Sequence, residues 1–111
     1  MLHDNSFTDK ELNPNGVEIQ LVGTYTTRFV YVDKQKTDEI AGLKLDIQIV
    51  DPTLFYPMFS VFVPIKSFDF KAHDIVTFEN LRGKFGTAFG KGNTVELQGE
   101  ADSIKVVKQN K

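Results

Sequence analysis

Leu43-Lys44-Leu45-Asp46-Ile47-Gln48-Ile49 alternates branched aliphatic and polar residues at every step. In an extended chain successive side chains point to opposite faces. This spacing therefore gathers Leu43, Leu45, Ile47 and Ile49 into one inward row and turns Lys44, Asp46 and Gln48 outward. The stretch reads as a half-buried strand. Asp51-Pro52 ends it, and an irregular apolar connection through Leu54, Phe55 and Tyr56 follows to Pro57.

The same period appears upstream. Val17, Ile19 and Leu21 face one way, with Glu18 and Gln20 between them. After Gly23 the alternation resumes through Tyr25, Thr27, Phe29 and Tyr31, in a run dense in strand formers. Gly23 marks a bulge that lets one long strand bend. Asp33 to Glu39 reads as a charged hairpin tip leading through Ala41-Gly42 into the Leu43 strand. Residues 1–16 are polar and acidic and end in Asn13-Pro14-Asn15-Gly16, a turn signal, so they read as a loosely held arm with a short helical turn near Phe7 to Leu12.

Downstream, Met58 to Val63 is apolar on both faces, the pattern of a strand covered on each side, and Pro64 stops it. Ile65 to Phe70 reads as a further strand segment with Phe68 and Phe70 on one face. Ile75 to Phe78, Thr94 to Leu97 and Ile104 to Val107 complete the set. Six or seven short strands with no sustained helical period predict an all-β fold, a small closed or partly open barrel over residues 17–111. Closure is expected because it removes exposed strand edges.

A length of 111 residues corresponds to one domain. No cysteine is present, which excludes a disulfide scaffold and a thiolate metal site and fits a reducing cytoplasmic setting. The N-terminal residues lack the basic and apolar regions of a signal peptide, and no apolar run reaches the roughly 20 residues of a membrane span. His3 and His73, the only histidines, sit in no metal-ligand or nucleophile spacing. The glycines after Arg82 do not form a phosphate loop, because no GxxxxGK[ST] pattern occurs. No catalytic residue, metal site or cofactor is expected.

The remaining chemistry lies in Arg82-Gly83-Lys84-Phe85-Gly86-Thr87-Ala88-Phe89-Gly90-Lys91-Gly92, with no acid between Glu79 and Glu96. Cations track phosphates and aromatic faces stack on bases, the combination that single-stranded nucleic acid binding needs. Arg82, Lys84, Phe85, Phe89 and Lys91 supply one such set; Arg28, Phe29, Tyr31, Lys34 and Lys36 supply a second. The bland counterpart is that Phe85 and Phe89 point into the core and the lysines are merely solvated. The net charge of −2 gives no general attraction to polyanions, so such binding requires local asymmetry. It favours the competing expectation, a protein–protein adaptor using an exposed strand edge or the apolar connection around Phe55 and Tyr56.

Several short motifs share a pattern. Val63-Pro64, Lys66 with Phe68-x-Phe70, Val76-x-Phe78-x-Asn80-x-Arg82, and Ala101-Asp102-x-Ile104 with Lys105-Val106-Val107 resemble the small conserved proteins of Gram-positive integrative conjugative elements, some described as helicase-processivity proteins. Where that group often has Asn-Pro-Arg, this chain has Asn80-Leu81-Arg82. The resemblance covers about residues 17–107. It implies an oligonucleotide-binding-fold-like domain that binds single-stranded DNA beside a relaxase and a helicase, without catalysis. It also gives Asn80 and Asp102 partly structural roles, Asn80 closing a turn and Asp102 accepting backbone hydrogen bonds.

Overall fold

The computed structural model describes residues 6–54, 57–87 and 95–108. Strands make up 63% and helix 4% of it, and the sheet curls into an open half-barrel. In chain order the elements are β1 (Ser6–Thr8), α1 (Asp9–Leu12), β2 (Ile19–Val32), β3 (Gln35–Ile49), β4 (Met58–Val63), β5 (Ile75–Glu79), β6 (Arg82–Thr87), β7 (Val95–Glu100) and β8 (Ser103–Lys108). Their order in the sheet is β1-β6-β7-β4-β3-β2-β5-β8. Every pairing is antiparallel except β4 with β7.

The expected six or seven short strands are eight, and two of them are long. The sheet is open, with β1 and β8 at its edges. The strict inward row holds: Leu45, Ile47 and Ile49 are fully buried and Leu43 nearly so. Pairing of β3 with β2 and β4 sets Leu21 and Phe59 on either side of Ile47 and extends this row into the core. Gly23 sits at φ 117°, where the β2–β3 register shifts between Leu21 and Tyr25, so it is the bulge expected there. A side chain at position 23 would be strained by that φ and would press on Ala72 Cβ at 3.0 Å.

Four local expectations need correction. The hairpin tip is only Asp33-Lys34, both at positive φ, and pairing resumes at once with Val32 opposite Gln35. Two residues suffice because both adopt the left-handed conformation of a twist-matched turn. Residues 65–70 form no strand: a tight turn from Ile65 N–H to the Val63 carbonyl (2.8 Å) steers the chain off the sheet at Pro64. Phe68 and Phe70 instead stack on each other (5.7 Å) and pack as a cover against the core. The acidic arm is docked from Ser6 onward, since β1 pairs with β6. Thr8 and Glu11 form a capping box on α1, Leu12 is buried, and Phe7 meets Phe85 edge-on at 5.2 Å. Finally, β4 is covered on one face only: Phe59, Val61 and Val63 are buried, whereas Met58 is exposed.

Two short links shape the sheet. β5 joins β6 through Asn80-Leu81, and β7 joins β8 through Ala101-Asp102. β5 and β6 stand seventh and second in the sheet order. In a flat sheet they would lie roughly 24 Å apart, yet the link between Glu79 and Arg82 reaches at most about 11 Å. The sheet must therefore curl until β5 and β6 approach each other at this corner. Asp102 N–H donates to the Glu79 carbonyl (2.8 Å) and Asn80 adopts φ 56° to make the turn.

Ile47 lies at the centre of the core row, so Ile47→Asp buries an unpaired carboxylate. The expected cost is several kcal/mol, a large part of a typical ~5–15 kcal/mol stability. Thermal denaturation should show an unfolded or severely destabilised variant; melting within a few degrees of wild type would contradict the face assignment.

Candidate nucleic-acid interface

The face of the sheet opposite the core carries a different set of side chains. Register places Thr26, Lys44, Phe62, Glu100 and Arg82 in one row across β2, β3, β4, β7 and β6. The adjacent row runs from Asp46 through Ser60 and Gln98 to Lys84. Asp46 is occupied within the sheet, accepting hydrogen bonds from Ser60 Oγ (2.6 Å) and Thr24 Oγ1. The floor is Phe62, whose ring lies across β3 at Gly42. Any Cβ at position 42 would fall 2.6 Å from that ring and against the Val63 carbonyl, so only glycine leaves room for it.

The β2–β3 hairpin supplies the second wall. Register shifts between Arg28, Phe29 and Tyr31 break the parity of β2. Arg28, Phe29 and Tyr31 consequently line one groove, although strict alternation would send neighbouring residues to opposite faces. Tyr31 pairs with Lys36, whose ammonium lies 4.3 Å from the Phe29 ring centroid. Tyr31 is 64% exposed, so its ring is open to a ligand.

These walls enclose a groove of about 870 Å³. It brings together six of the residues singled out from sequence: Arg28, Phe29, Tyr31, Lys36, Arg82 and Lys84. Five cations line it against one carboxylate, Glu100, so the local field is positive although the whole chain is slightly acidic. Lys34 does not join them, because it occupies the hairpin turn at φ 66°. Phe85 faces the other way: it pairs with Leu97 in register and packs with Phe7 against the core, as alternation from Lys84 requires. Phe89 and Lys91 lie outside the described residues, as do Phe55 and Tyr56 of the adaptor expectation.

Among the described residues Arg82 differs from the other groove cations in being ion-paired. Its Nη1 donates to the Asn80 carbonyl (2.8 Å) and to Asp102 Oδ1 (3.1 Å), and its Nη2 lies 3.2 Å from Glu100 Oε1. Asn80 Nδ2 completes the network on Asp102 Oδ2 (2.7 Å). The Asn80 amide, then Arg82, hold the Asp102 carboxyl below the usual carboxylate range. Asp102 therefore accepts from side chains, not from the backbone groups implied by the family resemblance. Among the described residues Arg28, Lys36, Lys44 and Lys84 form no ion pair.

Lys44 and Phe62 are the cation and the aromatic residue of the groove that sequence reasoning missed, and Glu100 is its missed carboxylate. Lys44 reads as one more outward strand residue, and Phe62 as part of a strand buried on both sides. Only strand pairing brings them beside Arg28 and Lys84.

Comparison of the chain with protein-family models, curated proteins and solved structures gives no match. Among the described residues no helix is long and apolar enough to cross a membrane. The fold and the groove define a class: a small all-β module with a cationic, aromatic-lined face.

The two aromatic sets separate by burial. Phe85→Ala should lower stability by about 2–3 kcal/mol, somewhat below the ~3–5 kcal/mol of a fully buried phenylalanine. Tyr31→Ala should leave the melting temperature nearly unchanged. Denaturation of both variants checks the assignment; equal losses would contradict it.

Proposed function

We propose that this chain is a non-catalytic accessory protein that binds single-stranded DNA, acting in the unwinding, transfer or replication of a mobile element. The observation that carries the proposal is the groove joining Arg28, Phe29, Tyr31 and Lys36 to Lys44, Phe62 and Lys84. Four cations that form no ion pair among the described residues can track phosphates, and the exposed Tyr31 offers a face on which a base stacks. Stacking and phosphate contacts accept any base, so binding is expected to tolerate sequence. A curled, open β-sheet that presents such a face is compatible with an oligonucleotide-binding-fold-like domain, although eight strands exceed the five of that fold. The mobile-element setting, with a relaxase and a helicase as partners in the cytoplasm, is supported by the resemblance of the 63–107 motifs to conjugative-element proteins.

Fluorescence anisotropy with labelled oligo-dT, titrated with salt, tests the proposal. Wild type should bind at low salt and weaken as salt rises. Combined replacement of Lys36, Lys44 and Lys84 by alanine should flatten the logarithmic salt slope by about 2, at roughly 0.7 per phosphate contact. Tyr31→Ala should cost about 1–3 kcal/mol of binding with the fold intact. Absence of wild-type binding at low salt, where attraction is strongest, would overturn the proposal.

A further inference from the structure

Glu100 is the one carboxylate among the groove-lining residues, and it is placed with care. Register sets it between Phe62 and Arg82 on the ligand-facing side of the sheet. Its side chain is 54% exposed and that of Arg82 is 45% exposed, so neither is there to fill the core. The guanidinium of Arg82 is shared between two tasks. Nη1 is committed to the corner, donating to the Asn80 carbonyl and to Asp102. Nη2 points to Glu100, the groove side of the network, at 3.2 Å.

From this division we infer that Glu100 is a latch that occupies the phosphate-facing edge of Arg82 and so sets how tightly the groove holds a strand. The inference rests on the single-strand-binding reading above. An incoming phosphate is chemically equivalent to the Glu100 carboxylate as an acceptor for a guanidinium. It must displace Glu100 to reach Nη2, and on leaving it is replaced by Glu100. Both are solvent-exposed partners, so the exchange is cheap in either direction. An accessory protein that must let a strand advance gains from such a contact, because a fully available fifth cation would slow release. The other anchors of Arg82 survive loss of Glu100, since Asp102 and the Asn80 carbonyl still hold Nη1. Freeing the outer edge therefore leaves the arginine in place and available.

The test is a double-mutant cycle read by oligo-dT affinity, with melting recorded for every variant. Glu100→Gln should tighten binding by about fivefold at low salt and steepen the salt slope toward one further contact, ~0.7. That gain should vanish when Glu100→Gln is made in an Arg82→Ala background. Glu96→Gln, which removes a carboxylate four residues earlier on β7 and outside the groove lining, controls for simple charge and needs no change at the corner. Its gain should be several-fold smaller. The latch is overturned if Glu100→Gln leaves affinity unchanged, if its gain persists without Arg82, or if Glu96→Gln matches it. Should Arg82→Ala fail to fold, the comparison of Glu100→Gln with Glu96→Gln decides alone. Failure of wild type and all variants to bind oligo-dT would instead overturn the single-strand-binding proposal itself.

Discussion

Two links of two residues each, Asn80-Leu81 and Ala101-Asp102, constrain everything else in this sheet. Each must connect strands far apart in the sheet order, and neither is long enough to cross a flat sheet. Curling is the only solution. Once the sheet curls, one face closes around Leu21, Leu45, Ile47 and Val61, and the corner is secured by Asn80, Arg82 and Asp102. Ala101 is fully buried where β7 leaves β4, its N–H donating to the Phe62 carbonyl. That bond ties the corner to the strand that floors the groove.

The groove follows from the same geometry. The row from Thr26 to Arg82 crosses five strands, so its members come from distant parts of the chain. The long hairpin extends beyond its neighbours, because β3 pairs with β4 only over Leu43–Gln48 and β2 with β5 only at Ile19 and Gln20. Its bulges then bring Arg28, Phe29 and Tyr31 to one side. Core and groove are thus two faces of one curled sheet. Arg82 belongs to both, holding the corner with one edge of its guanidinium and facing the groove with the other.

Local periodicity revealed what is local. The Leu43–Ile49 row, the bulge at Gly23, the stop at Pro64 and the strands beginning at Ile75 and near Ile104 could all be read directly. Strand alternation in Lys84-Phe85 already required opposite faces for those two residues, and the core claimed Phe85. Long-range pairing hid the rest. Phe68 and Phe70 share the spacing of a strand but cover the core from an irregular segment. Phe62 looks doubly buried until its neighbours Lys44 and Glu100 are known. The engagement of Arg82 depends on Glu100 and Asp102, which arrive some twenty residues later. Six of ten sequence-chosen site residues meet in the groove, because Arg28 to Lys36 lie on one hairpin and Arg82 and Lys84 share one face of β6.

The central claim is that a single strand lies on the groove face. Backbone amide shift mapping of the labelled protein with oligo-dT tests it directly. Perturbations are expected to cluster at Thr26 to Tyr31, Lys36, Lys44, Phe62, Lys84 and Gln98, with the core face left quiet. Shifts confined to the 64–74 cover or to β8, with the groove unperturbed, would contradict the account.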